Sequence, residues 1–227
     1  MPYFLRHYST FVDRMIFYDD HSVDGTRDLI SECSKTVLRN WPGSHGMVDD
    51  EFLSFANEQW KEARGYADWV IWVDADEFLY HPKILEVLER YLNEKVQVPK
   101  INGFTMLSHK FPTTDGQIYE EIRTGFPDDV WSKATIFRDN MVWNVGRHSM
   151  NHDRFKPRFS KDYELKLLHY RALGWDYLEA RHSRNWERVP EHCRAQNLGN
   201  NCSPGWVGHH GLEWFKAKFQ EPLLEVI

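Results

Sequence analysis

The chain has 227 residues, 41% of them hydrophobic and 27% charged, with a formal net charge of −6 at pH 7. Those proportions belong to a folded globular protein with one domain's worth of core, and the acidic balance argues against a nucleic-acid partner, whose phosphates need a basic surface. No apolar run approaches the length of a bilayer span, and "MPYFLRHYST" lacks the apolar stretch of a signal peptide, so a cytoplasmic protein is the simplest reading, with peripheral membrane association left open.

In chain order, "DRMIFYDD" (13–20) reads as a strand: Met15, Ile16, Phe17 and Tyr18 form an apolar run that stops at Asp19 and Asp20. A turn follows, with a helix cap at Asp24 and Leu29, Ile30 and Cys33 on one helical face. From Asp49 to Arg64, Phe52, Phe55, Ala56, Trp60 and Ala63 fall at helical spacing, and Gly65 ends the run. Trp69 to Val73 predicts a second strand, ending on Asp74, Asp76 and Glu77. Pro82 suits a first helical turn, and Ile84, Leu85, Leu88, Tyr91 and Leu92 continue an amphipathic helix.

This alternation predicts an α/β domain with a mostly parallel, mixed sheet covered on both faces by helices. Past residue 100 the pattern predicts strands at 103–109 and 133–139 with an irregular loop between them. A helix is expected at 174–189, then a turn-rich tail and a last amphipathic helix after Leu212. One domain over 1–227 is expected. Cys33, Cys193 and Cys202 are odd in number and form no CxxC, so they read as ordinary thiols. Aromatics reach 15%, ten of them Trp; indoles stack on sugars and bases but also fill cores, and core packing is the favoured use of Phe126, Trp131 and Trp143.

In parallel sheets ligands sit beyond the carboxyl ends of strands, where both acidic clusters fall. Carboxylates this close repel unless a cation separates them, and Mg²⁺ or Mn²⁺ prefers oxygen ligands and keeps positions open for phosphate oxygens. An isolated Asp-x-Asp is weak evidence; two clusters on successive strands are stronger.

"YDDHSVDGT" resembles the D-D-x-S-x-D-G-T signature of the family 2-like glycosyltransferases, and "WVDADEF" resembles their DxD segment. "VGRHSMNH" and "LLHYR" are similar to histidine segments of a subgroup. The resemblance spans about residues 3 to 172 and implies a GT-A fold, a Rossmann-like domain that binds a nucleotide-sugar, a UDP-sugar foremost, with Mn²⁺ or Mg²⁺, and transfers the sugar to a glycan or other hydroxyl acceptor, with inversion. Residues 1–100 would form the nucleotide-binding half and 101–227 the acceptor half.

By position the resemblance implies that Asp19 faces the base with Asp20 beside it, and that Ser22, Asp24 and Gly25 shape the turn under the nucleotide. Asn57 would contact nucleotide or donor sugar, Asp74 would lie near ribose and metal, and Asp76 would coordinate the metal through the diphosphate. His169 completes the metal set, with His148 as competitor. The general base of an inverting reaction has no obvious E-D pair here; Asp129, in Asp128-Asp129, and Glu120-Glu121 are the substitutes. His209-His210, in the turn-rich tail, reads as core or surface residues rather than as ligands.

The family usually opens with a strand ahead of the helix that "PYFLRHYSTF" resembles, so a sheet lacking that strand is expected. Two alternatives stand beside the transferase: a non-catalytic nucleotide- or glycan-binding relative, and a phosphohydrolase of the haloacid-dehalogenase type using Asp74 and Asp76. The latter pattern wants Thr or Val where Glu77 and Phe78 stand.

Overall fold

A computed structural model describes residues 1–46, 49–144, 147–151, 156–197 and 199–227. Val145, Gly146 and His152 of the "VGRHSMNH" segment lie outside the described residues.

The chain opens on α1 (Pro2–Tyr8), with Pro2 in the first turn, where a missing N–H costs no hydrogen bond. β1 (Met15–Asp19) and β2 (Thr36–Asn40) pair in parallel across α2 (Thr26–Glu32); β2 is a strand that the periodicity does not predict. The helix starts after Gly25, whose φ of 81° is left-handed and suits glycine, while Asp24 accepts the Thr26 N–H at 3.1 Å. Asp24 therefore closes the turn before the helix and is not its cap.

α3 (Asp49–Gln59) continues into a 3-10 turn, burying Ala56 and Trp60. β3 is only Val70–Ile71, shorter than the apolar run, and pairs antiparallel with β7 (Ile136–Phe137). Two further strands that the periodicity does not predict flank later segments: β4 (Glu77–Tyr80) and β6 (Thr124–Pro127). In α4 (Ile84–Asn93) the buried stripe is Val87, Leu88 and Tyr91, and Leu85 points outward.

The main sheet runs β4-β8-β5-β6-β9, with β5 (Ile101–Ser108), β8 (Leu165–Leu173) and β9 (Leu224–Glu225). Among the described strand pairs only β1–β2 and β5–β8 are parallel, so the sheet is mixed as expected but mostly antiparallel rather than mostly parallel. Parallel neighbours need long crossovers, usually helical. Between β5 and β6 there is only the single helical turn α5 (Ile118–Glu121), and β6 returns antiparallel. Helices α6 (Trp175–Glu187), α7 (Glu191–Ala195) and α8 (Leu212–Lys218) complete the α/β architecture.

β8 is an inner strand, flanked by β4 and β5, and is buried almost throughout although it carries Lys166, His169 and Arg171. Residues from Phe4 to Val226 join one apolar cluster. Edge strand β4 is covered by α1: the Tyr8 hydroxyl donates to the Glu77 carbonyl and accepts the Leu79 N–H, and His7 Nε2 donates to the Leu79 carbonyl. Side chains thus satisfy an edge that would otherwise stay open. Among the described residues, β1 pairs only with β2 and β3 only with β7. A cavity of about 2130 Å³ is lined by both of these strands. No helix of the described residues is long and apolar enough to cross a membrane.

Candidate functional site

The acidic segment after β3 is a tight turn, because the Glu77 N–H donates to the Asp74 carbonyl at 3.0 Å. The Tyr170 N–H of β8 holds the Asp76 carbonyl at 2.8 Å. Each carboxylate meets its own cation. Asp74 pairs with Arg147 at 2.8 Å, Asp76 with Arg181 at 2.6 Å and His169 at 3.0 Å, and Glu77 with Lys133 at 2.5 Å. The repulsion that the sequence raises is therefore relieved by side chains from β8, α6 and the segments on either side of β7.

These environments pull the acids apart. Burial works against charge on Asp76, yet Arg181 and His169 outweigh it and hold its carboxyl well below the usual range. Burial pushes Glu77 up to about 7, with Asp74 and Asp76 adding to the rise that Lys133 opposes. Burial also carries His169 down to about 4, against the pull of Asp76. At neutral pH its imidazole is uncharged, the form that ligates metals.

His169 is central in β8 rather than at a strand end, as its apolar run suggests: it sits opposite Glu77 of β4 and Thr105 of β5. The register slips just beyond it, between Thr105 and Leu107, and such bulges re-aim side chains beside functional sites.

The cavity collects the rest. Asp19, Asp20, Ser22 and Asp24 line it from the end of β1, and Asp74 and Ala75 from the end of β3. Asp19 accepts from the Ser22 N–H at 3.0 Å and from Arg27 at 2.5 Å; these bonds outweigh its burial and hold it below the usual carboxylate range. Asp20 is bound by Arg188 at 2.9 Å, His45 at 2.7 Å and the Gly46 N–H at 3.3 Å. Arg181, Arg184 and Arg188 recur at helical spacing, so one face of α6 supplies both Asp76 and the cavity. That spacing is a signal legible in "EARHSRNWER"; Arg147 and Lys133 carry none.

Other expected residues lie elsewhere. Asn57 does not line the cavity: its amide brackets the Trp143 backbone, accepting at 2.8 Å and donating at 3.2 Å, so it is a clamp between α3 and that strand-like segment. Asp129 is exposed at the start of a 3-10 turn, and its neighbour Asp128 is the buried one. Glu120 completes a capping box with Gln117, and Glu121 accepts the Thr113 and Thr114 N–H groups, so both acids serve their own loop. His148 is exposed and bonds to the Val130 carbonyl. Trp131 and Trp143 are core residues.

The tail histidines meet a buried acid. His210 is buried, 2.6 Å from Asp128, and His209 reaches the other Asp128 oxygen at 3.8 Å. Thr105 donates to Asp128 at 2.7 Å, and the Trp131 ring contacts both His169 and His210.

No family model matches this sequence, and no curated protein matches it either.

Proposed function

We propose that this chain is a GT-A-like, metal-dependent glycosyltransferase. It binds a nucleoside-diphosphate sugar, a UDP-sugar first, in the cavity between β1 and β3 and passes the sugar to an acceptor hydroxyl. The carrying observation is the meeting of Asp76 and His169 at 3.0 Å, far apart in sequence; neither lines the cavity, but Asp74 and Ala75 next to Asp76 line it together with Asp19, Asp20 and Ser22.

Asp76 and His169, with Asp74 adjacent, are the residues that would hold Mn²⁺ or Mg²⁺. Asp76 and Asp74 supply the hard carboxylate oxygens such an ion prefers, and the His169 imidazole would favour Mn²⁺ over Mg²⁺. Asp76 Oδ2 is buried and close to Arg181 and His169, yet neither contact is aligned as a hydrogen bond. When bound, the ion would offset charge gathering on the leaving diphosphate.

The protein's own groups do the rest. Asp19, fixed by Ser22 and Arg27, presents an acceptor oxygen suited to the N–H of a base. Arg184 and Arg188, which line the cavity, supply fixed positive charge for phosphates. Trp41, Trp69 and Trp72 give the cavity aromatic walls on which a base or sugar stacks.

A second reading, a metal-free nucleotide binder of the same cavity, is favoured by one observation: Arg181 and Arg147 already neutralise Asp76 and Asp74. Calorimetry with UDP, with and without Mn²⁺, separates the two. Binding that requires Mn²⁺ and disappears in Asp76→Ala supports the transferase. Equal binding without metal supports the second reading. No binding of any nucleoside diphosphate by the wild type refutes both.

A further inference from the structure

We propose that Asp128, His209 and His210 form a separate binding site for a d-block divalent cation, Zn²⁺ in first place, which ties the C-terminal turn to the central sheet. The three ligand atoms lie within 4.8 Å of one another. Two imidazoles and one carboxylate are a zinc ligand set that keeps a position open, whereas Mg²⁺ favours oxygen throughout. The site does not depend on the nucleotide-sugar reading.

The backbone is arranged for it. His210 takes a left-handed φ of 64°, which a residue other than glycine adopts at a cost and which gathers at functional positions. The result is that consecutive imidazoles stack, with ring centroids 3.9 Å apart and planes 24° from parallel. Their Nε2 atoms address the two oxygens of one carboxylate, at 3.8 Å and 2.6 Å.

A plain Asp128–His210 hydrogen bond would fasten the turn, and the Val130 N–H at 3.4 Å already serves Oδ1, but neither requires His209 beside that oxygen. Asp128, whose side chain is 2% exposed, pairs with no lysine or arginine among the described residues. Buried carboxylates are paired or bind metals.

An outer layer is also present. Thr105 donates to Asp128 Oδ2, and the Trp131 indole lies nearly parallel to the His210 ring at 5.3 Å, which orients the ligands. His209 is half-exposed and gives the ion a route in. Trp131 touches both His210 and His169, so this site neighbours the Asp76–His169 pair but shares no ligand with it.

The test is calorimetric titration of Zn²⁺ into metal-stripped, untagged full-length chain, with Co²⁺ absorption in the visible as a second readout. Residues one layer outside a metal already change affinity by roughly 10–100-fold, so loss of a ligand in His209→Ala is expected to weaken binding about 100-fold and to abolish the Co²⁺ band. Asp128→Asn is expected to do the same. Asp76→Ala is expected to leave this Zn²⁺ affinity unchanged. Absence of Zn²⁺ binding by the wild type, unchanged affinity in His209→Ala, or loss of the ion in Asp76→Ala would overturn the proposal. Because His209 is half-exposed, its removal spares the core, and far-UV circular dichroism checks this.

Discussion

Replacing Lys133 with methionine isolates the ion pair beneath the acidic turn. The side chains of Lys133 and Glu77 are 4% and 0% exposed, and their charged atoms are 2.5 Å apart. Methionine keeps the apolar stem and removes the charge. Breaking a buried pair by removing one partner costs about 3–5 kcal/mol, unless the abandoned group can shed its charge. Glu77 can do so by taking a proton. In the wild type burial already lifts its pKa from 4.5 to about 7, so the folded state binds that proton more tightly than the unfolded chain. This group's contribution to stability therefore falls as pH rises from 4.5 to 7 and is level beyond. In Lys133→Met the folded pKa lies higher still, and the fall continues above pH 7 at about 1.4 kcal/mol per pH unit. The stability deficit of the variant is thus expected to widen between pH 7 and pH 9. Urea denaturation at pH 6, 7, 8 and 9, followed by tryptophan fluorescence and extrapolated linearly, measures it. A deficit that stays constant across this range would refute the reasoning, as would failure of a second change, Glu77→Gln, to recover most of the loss.

Two further outcomes follow from geometry and burial. In Gly103→Ala the new methyl would stand 2.3 Å from the Trp131 carbonyl carbon and 2.6 Å from the Asp128 carbonyl oxygen, both backbone atoms. We expect a loss of about 2–3 kcal/mol in urea denaturation, and an unchanged midpoint would contradict the packing described. His7 is pushed down to about 4 by burial, against its bond to Leu79. The unfolded chain protonates this imidazole near 6.5, so stability present above that pH is lost as pH falls toward 4, by up to about 3 kcal/mol. His7→Gln is expected to flatten the stability–pH curve in that window only; an identical slope in wild type and variant would rule out this assignment.

Much of the fold was legible because it is local. The runs at 15–19 and 101–108, and the helices containing Trp60, Tyr91 and Leu178, are set by spacing within a few residues. Strand polarity was not, because β5 finds β8 in parallel and β6 antiparallel through long-range pairing that no short window contains. The site divides the same way. From the sequence alone come the acids at the ends of two apolar runs and a histidine in "LKLLHYR" as a metal candidate. Only the folded chain decides which charge each acid meets: Arg147 for Asp74, Arg181 for Asp76, Lys133 for Glu77, and two tail histidines for Asp128. The reason is physical. Hydrophobic periodicity acts between near neighbours, whereas burying a carboxylate requires a partner from wherever the chain returns, and tertiary packing alone determines that place.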